Sequence, residues 1–300
     1  MESDFTIAVV AQGSLHQYWK ALRAGALAAK EVLRAQGISI DVAWCCPIRE
    51  DDREEQVRIV EGFTRKRVHG LVLAPFDDHS LVGPVEEAAN LWIPTVVVDS
   101  PLDTPQIVSF VATENTDGGA LAANRIGELL HRRGKVLLLR YQEGSASTKE
   151  REEGFAWRLR RTSPNIELLV SDRYAGTTRD TARTASEALL ARHGKDLQGV
   201  FTPNESSTAG MLMALQAAKV SDVAMVGFDA SDVYLHCLTT QRLQGLVVQN
   251  PFRMGELGVK AIVDHLQGRS VSNRIPTDAV MITPENMDNP EFRKMLHPIP

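Results

Sequence analysis

The sequence has few cysteines and no long apolar run. Only three cysteines occur among 300 residues, too few for a disulfide framework, and no group of residues shows the spacing of a zinc site. No stretch approaches the roughly 18 apolar residues of a membrane-spanning helix. A dinucleotide-binding G-x-G-x-x-G, a phosphate-binding loop, an H-E-x-x-H motif and a nucleophile elbow are also missing. The sequence therefore favours a protein that has no metal, no cofactor and no catalytic residues.

An excess of positive charge is missing as well. The chain has 33 Lys and Arg against 38 Asp and Glu, and its net charge is −5. A surface that coats nucleic acid needs clustered positive charge, so DNA and RNA are not expected as partners. No signal peptide is visible before the first strand. Either the protein is cytoplasmic or a leader has been removed, and the residues leave both possibilities open.

The composition is that of a globular protein, and the length predicts two domains. Hydrophobic residues make up 43% and charged residues 24% of the chain, and domains average roughly 150 residues. Short apolar runs alternate with amphipathic helices, and their apolar residues are consecutive, as in parallel strands buried on both faces. The ten predicted strands are Thr6–Ala11, Ile38–Ala43, Gly70–Ala74, Thr95–Val98, Ile107–Ala112, Lys135–Arg140, Ile166–Ser171, Gly199–Thr202, Val223–Gly227 and Gln244–Gln249.

A weak internal similarity favours two sheets of about five strands each. Val-Leu-Ala-Pro at 72–75 is followed by Val-Val-Val-Asp ending at Asp99, and Val-Phe-Thr-Pro at 200–203 is followed by Val-Gly-Phe-Asp ending at Asp229. The alternative is that all β-α-β units look alike. Near the C-terminus, the pattern predicts a short helix over Pro290–Leu296 that packs on one lobe.

The residues that follow the predicted strands are rich in amides, carboxylates and aromatic rings. In open α/β sheets, ligands bind beyond the carboxyl ends of the strands. Carboxylates and amides bracket hydroxyl groups, which both donate and accept, and aromatic faces cover the C–H surface of a sugar. The pattern therefore suits a polyhydroxyl ligand.

Each of these residues also has a purely structural explanation. Tyr18 and Trp19 offer either an aromatic platform or ordinary core packing. Asp99 and Asp229 bind ligand, cap the next helix, or do both. His16 is either a ligand contact or a structural residue. Arg151 lies in a charge run, which is usually a solvated helix face. This arginine also follows the end of the sixth strand, where a pocket role is the alternative.

Several motifs, in their order and spacing, resemble those of one family. They are Ile7–Val10 with Tyr18-Trp19, Gly70–Pro75, Ile93–Asp99, Glu114-Asn115 with Gly118-Gly119, Glu150–Phe155, Asn204-Glu205, Val226–Asp229 and Gln249. Over about residues 5–283, the chain resembles the periplasmic sugar-binding proteins of the ribose-binding type, which have the type I periplasmic binding protein fold and share their LacI-like core with regulators.

The resemblance implies an α/β fold with two Rossmann-like lobes, each a parallel sheet flanked by helices, joined by a three-stranded hinge. The chain is expected to cross between lobes near Thr113, Gln249 and Pro276. The N-terminal lobe then comprises residues 1–113 plus 250–276, and the C-terminal lobe comprises residues 114–249 plus 277–300.

The resemblance also implies a ligand pocket without catalytic or metal-binding residues. The implied pocket residues are Gln12, His16, Tyr18, Trp19, Asp99, Thr113, Arg151, Asn204, Asp229 and Gln249. Ala74 replaces an asparagine of the ribose binders, Ser100 replaces an arginine, His16 replaces an asparagine, and Gly176 replaces an aromatic residue. These departures predict a ligand other than ribose, such as another sugar or a polyol.

The implied function is that of a solute-binding protein of an ABC transporter. Such a protein is a monomer that captures a carbohydrate or polyol between its lobes by hinge closure and delivers this ligand to a membrane permease. The binding protein is therefore expected in the periplasm or another extracytoplasmic space. The main alternative is the effector-binding core of a LacI-type transcriptional regulator, which needs a helix-turn-helix head before the first strand. A cleft enzyme that uses the acidic residues is a further alternative.

Overall fold

The structure, a computed structural model, describes residues 4–14, 16–49 and 52–296. Its contacts divide the chain into two units. Unit 1 contains the described part of residues 1–113 together with Asn250–Asp278, and unit 2 contains Glu114–Gln249 together with the described residues from Ala279 onward. The predicted assignment of residues 297–300 lies outside the described residues.

The first unit begins with three strand–helix repeats, which are followed by two further strands. In chain order these elements are β1 (Phe5–Val10), α1 (Gln17–Ala35), β2 (Ile40–Cys45), α2 (Arg53–Arg65), β3 (Gly70–Leu73), α3 (Val82–Asn90), β4 (Thr95–Val98) and β5 (Ser109–Thr113). The chain then builds most of unit 2 from α4 (Asn115–Leu129), β6 (Arg133–Arg140), α5 (Ala146–Thr162), β7 (Asn165–Tyr174), α6 (Arg179–His193), β8 (Gly199–Phe201), α7 (Glu205–Ala217), β9 (Ala224–Phe228), α8 (Asp232–Thr239) and β10 (Gly245–Val248). The remaining elements are α9 (Pro251–Leu266), β11 (Arg274–Thr277), β12 (Val280–Ile282) and α10 (Pro290–Leu296).

Unit 1 is a six-stranded sheet covered by helices on both faces. Its strand order is β11-β5-β4-β3-β1-β2, and all its pairs are parallel. Successive residues of β1 point to opposite faces: Ile7 and Val9 pack with α1 and α9, whereas Ala8 and Val10 join the cluster of the other face. Burial on both faces explains why the apolar residues of β1 are consecutive.

Unit 2 repeats this architecture with one difference at the sheet edge. Its strand order is β12-β10-β9-β8-β6-β7, which places each strand where its counterpart lies in unit 1. The predicted internal similarity therefore reflects two equivalent sheets. However, β12 pairs antiparallel with β10, so the expectation of an entirely parallel sheet is wrong at this edge.

The two edge strands β11 and β12 extend the ten predicted strands. In β11, Thr277 pairs with Thr113 of β5, so this segment of unit 1 continues to Asp278 and does not end at Pro276. The predicted C-terminal helix is present as α10, and its Phe292 and Met295 pack against the core of unit 2.

Among the described residues, no helix combines the length and the apolar character that a membrane crossing needs.

Candidate ligand-binding site

Asp99 lies at the carboxyl edge of the unit 1 sheet, directly after β4. Its φ of 69° is in the left-handed region, which is uncommon for a residue other than glycine. Its backbone N–H donates to the Val111 carbonyl at 3.0 Å. The carboxylate accepts from the Tyr18 hydroxyl at 2.5 Å and from Ser100 Oγ at 3.1 Å. The sheet and two hydroxyl groups thus fix the Asp99 carboxylate in one orientation.

Tyr18 and Trp19 have different environments although they are neighbours in α1. The Tyr18 ring is half-buried and meets the Trp19 ring edge-on, with centroids 4.8 Å apart. Trp19 is only 4% exposed and packs in the unit 1 core with Leu22 and Ala26. Trp19 is therefore a core residue, whereas Tyr18 belongs to the polar group around Asp99.

The other predicted residues of unit 1 connect strand ends. Gln12 donates from Nε2 to the Pro75 carbonyl at 2.8 Å, which links the ends of β1 and β3. His16 precedes α1, and its side chain does not cap that helix. Thr113 is buried, with its hydroxyl oxygen 3.5 Å from that of Thr277. Thr113 is thus a structural residue of the β5–β11 strand pair, at the point where the chain leaves unit 1.

Arg151 is buried inside unit 2, at 3% exposure. It donates from Nε to Asn115 Oδ1 at 2.8 Å and from a terminal nitrogen to the Pro203 carbonyl at 3.0 Å. Its guanidinium lies 4.0 Å from the ring centroid of Phe228. The interpretation as a solvated helix face is therefore wrong, because this arginine points into the unit, where two of its five donors are engaged in these bonds.

The close packing of α4 against α5 positions Arg151. A Cβ on Gly119 would lie 2.0 Å from the Arg151 carbonyl oxygen, and a Cβ on Gly154 would lie 2.2 Å from the Thr116 carbonyl oxygen. Only glycine permits backbones to approach so closely. The two glycines let the N-terminal half of α4 approach the second and third turns of α5 closely, so that Asn115 reaches Arg151.

Asp229 has the same place in unit 2 that Asp99 has in unit 1. It follows β9, its φ is 67°, and its N–H donates to the Val247 carbonyl at 2.8 Å. Its carboxylate accepts from Gln249 Nε2 at 2.7 Å. Among the described residues, Gln249 Oε1 is buried without a hydrogen-bond partner, and an unsatisfied buried acceptor costs about 1–3 kcal/mol. A hydroxyl donor brought by a ligand would remove that cost.

Neither aspartate caps a helix, so the capping interpretation is wrong for both. The cap of α8 is Ser231, whose side chain accepts from the Tyr234 backbone N–H. Asp99 is followed by β5 before any helix begins. Asn204, in contrast, is the N-cap of α7 and accepts from the Ser207 backbone N–H at 3.2 Å.

Sequence reasoning missed two residues that hold Arg151. Asn115 accepts from its guanidinium, and Phe228 lies beneath it. Both residues occur within the motifs that carry the family resemblance, but as neighbours of residues chosen for their charge. A buried arginine needs hydrogen-bond acceptors, and its guanidinium gains from an aromatic ring beneath it, so these two needs were the available signal.

Two buried acidic groups support the unit 2 strand ends. Glu152 accepts from the Tyr141 N–H at 3.1 Å and from Arg140 Nε at 3.3 Å, and burial raises the pKa of its carboxyl. Glu205 accepts from Arg179 and, at 3.0 Å, from the Tyr234 hydroxyl. Burial beside Glu205 raises the pKa of Tyr234 strongly. In the described part of the chain, no group of three or more His, Cys, Asp or Glu side chains could hold a metal ion.

Comparisons with known proteins agree in sequence and in fold. A profile of the family described as "Periplasmic binding protein domain" matches residues 7–270. The ribose import binding protein of Bacillus subtilis (strain 168) is 29% identical over 226 residues, which is 75% of this chain and 72% of the relative. The residues that the family profile matches include all ten predicted pocket positions.

Two solved structures from Agrobacterium vitis share the fold over nearly the whole chain. An ABC transporter solute-binding protein bound with α-D-tagatopyranose has a TM-score of 0.90 at 25% identity, covering 98% of this chain and 99% of its own. A second, with bound D-fucose, has a TM-score of 0.88 at 29% identity, covering 97% and 100%.

Proposed function

The chain belongs to the periplasmic binding protein domain family, and from that premise we propose that it is the solute-binding protein of an ABC transporter that captures a sugar or sugar-like polyol. The predicted resemblance to the ribose-binding type is confirmed by its relatives. One observation carries the proposal: Asp99 and Asp229 stand at equivalent strand ends of the two units, in the same strained conformation. Such strain persists where the surrounding structure enforces it, often at binding sites.

The remaining polar groups suit a ligand with several hydroxyls. Carboxylate oxygens accept from ligand hydroxyls, and the buried Oε1 of Gln249 needs a donor. Arg151 supplies donors toward ligand oxygens. Because a ligand that lacks one hydroxyl leaves a buried partner unpaired, such a site discriminates strongly among sugars.

We assign the ligand contacts to the predicted pocket residues, and we divide these residues into main and supporting contacts according to the surroundings of each side chain. Tyr18, Asp99, Arg151, Asp229 and Gln249 are the main contacts, because each presents a polar group or ring at a strand end. The assigned supporting residues are Gln12, His16, Trp19, Thr113 and Asn204. Ala74, Ser100 and Gly176 make the expected ligand a sugar or polyol other than ribose.

The mechanism is closure about the segments where the chain passes between units, after Thr113, Gln249 and Asp278. A ligand that contacts residues of both units binds the closed state more tightly than the open state and shifts the population toward closure. The protein acts as a monomer in an extracytoplasmic space and delivers its ligand to the membrane permease. A regulator core and a cleft enzyme are not favoured, because the relatives are sugar-transport binding proteins.

A thermal-shift screen tests the proposal. The panel contains the sugars and polyols named for relatives and neighbours, among them D-ribose, D-allose, D-tagatose, D-fucose, D-arabinose and xylitol. A ligand at 100 times its Kd adds about 2.7 kcal/mol to the free energy of unfolding. We expect at least one compound to raise the Tm in this way, and D-ribose to be a weaker ligand. A panel in which no sugar or polyol raises the Tm would contradict the proposal.

A further inference from the structure

One end of unit 2 carries a group of arginines that the proposed sugar site does not use. These arginines, together with one exposed tryptophan, form what we call the arginine surface, defined as Arg132, Arg133, Trp157, Arg158, Arg160 and Arg161. Four of the arginines are exposed and Arg158 is half-buried. Trp157 is 52% exposed.

The packing of α5 against the end of α4 brings these residues to one place. Arg160 and Arg161 lie in the last turn of α5. A Cβ on Gly127 of α4 would lie 2.6 Å from Ser163 Oγ, and the Arg132 N–H donates to the Gly127 carbonyl at 2.8 Å. The loop after α4 and the end of α5 are therefore neighbours.

The positive charge of this surface is not neutralised locally. None of its five arginines forms an ion pair with a carboxylate in the part of the chain that the structure describes. The nearby Glu128 and Glu167 pair with Arg125 and Lys135 instead. Elsewhere, exposed arginines such as Arg183 pair with a carboxylate one helical turn away.

Trp157 distinguishes this surface from ordinary helix-end charge. Basic residues in the last turn stabilise a helix end, which accounts in part for Arg160 and Arg161. It does not account for an indole that is half exposed, with the guanidinium of Arg161 4.7 Å and that of Arg158 5.5 Å from its centroid. Tryptophan next to basic side chains is typical of membrane–water interfaces, where the ring contacts the apolar region and its N–H stays hydrated.

We propose that the arginine surface binds an anionic phospholipid bilayer. Arginines attract lipid phosphates at short range, since the net negative charge of the remaining chain is screened beyond a Debye length of about 8 Å. Trp157 inserts at the headgroup level. A nucleic acid duplex would be held by the same charges, but its paired bases are not free to stack on the indole.

The arginine surface and the proposed sugar site lie at opposite ends of α5. Arg151 lies in the second turn of α5 and Arg161 in the last, about 15 Å farther along a helix that rises 1.5 Å per residue. Membrane contact therefore leaves the sugar-binding strand ends of unit 2 unobstructed. The proposal does not rest on sugar binding, and its test is performed without any sugar.

Vesicle co-sedimentation of the full chain tests the proposal. We expect binding to vesicles with roughly 30% phosphatidylglycerol in phosphatidylcholine, little binding to pure phosphatidylcholine, and release when the salt rises from about 0.05 M to about 0.5 M. Arg160→Gln with Arg161→Gln should weaken binding about 30-fold, because each arginine near an anionic surface contributes roughly a factor of five. The matched control is Arg23→Gln with Arg34→Gln, two exposed arginines on α1 whose loss changes the net charge equally.

Tryptophan emission separates lipid contact from attraction to any polyanion. The wild type should shift to the blue with phosphatidylglycerol vesicles, and Trp157→Phe should lose most of this shift while keeping its far-UV circular dichroism. Equal binding to both vesicle types, equal loss in the control variant, or tighter binding to heparin or DNA without a vesicle-induced blue shift would overturn the proposal.

Discussion

Asp99 and Asp229 show how single residues prepare a site before any ligand arrives. Each is held in a left-handed conformation by a backbone bond to the neighbouring strand. A side chain on another segment then orients each carboxylate, Tyr18 in unit 1 and Gln249 in unit 2. Because the orientation is fixed in advance, a bound ligand does not have to order these groups itself.

Asp99→Asn and Asp229→Asn should each weaken sugar binding roughly 10- to 100-fold, because a hydrogen bond to a charged group contributes about 1.5–3 kcal/mol. Isothermal titration calorimetry with the sugar found in the screen measures the effect. Asp41→Asn and Asp172→Asn are the matched controls, since both carboxylates are exposed, one in each unit. Unchanged affinity in both site variants would remove the aspartates from the site.

Glu152 should make stability depend on pH in a direction opposite to that of most acidic groups. Burial raises the pKa of its carboxyl in the folded state. Its stabilising contribution is therefore complete below the unfolded pKa of about 4.3 and is lost as the pH rises through the higher folded pKa. Glu152→Gln should remove this loss, so the stability of the variant should increase relative to the wild type between pH 4 and pH 7.

Urea unfolding at both pH values measures the effect of Glu152→Gln. The control is Glu153→Gln, whose carboxylate is 66% exposed. The prediction is contradicted if the free energies of unfolding of Glu152→Gln and the wild type differ by the same amount at both pH values, because the Glu152 carboxyl of the wild type would then titrate normally.

At the scale of elements, the sequence patterns predicted the buried strands well because apolar runs directly reflect burial on both sheet faces. They missed β11 and β12, since β11 contains Arg274 and Pro276 and β12 has only three residues. Both are held by pairing with a strand distant in the chain. The contact of Tyr18 with Asp99, 81 residues apart, was likewise beyond local pattern, because only the folded sheet brings these segments together.

The α4–α5 contact should be intolerant of even one methyl group. A Cβ on Gly154 would lie 2.2 Å from the Thr116 carbonyl oxygen, which belongs to the backbone of α4, so the helices would have to move apart. Gly154→Ala should therefore lower the free energy of unfolding by at least about 1–3 kcal/mol. Gly62→Ala on α2 is the control, because its Cβ would meet only the end of the Arg65 side chain at 4.0 Å.

Urea denaturation of both glycine variants compares crowded and open helix positions. Gly62→Ala should be stabilising by roughly 0.5–1 kcal/mol, since alanine restricts the unfolded chain and favours a helix. Equal effects of the two substitutions would contradict the close approach of α4 and α5.

At the scale of the whole molecule, the two units are built on the same strand order, and each contributes one strained aspartate and its partner. Within the residues that the structure describes, the chain passes between the units three times. This organisation supports the proposed function because neither unit alone presents both sets of polar groups. A ligand that binds both sets would couple its own binding to the relative movement of the units.

Small-angle X-ray scattering with and without the sugar found in the screen tests this coupling most directly. The predicted result is a smaller radius of gyration at saturating sugar, with no such change for Asp229→Asn at the same sugar concentration. Sugar binding that leaves the radius of gyration of the wild type unchanged would contradict hinge closure.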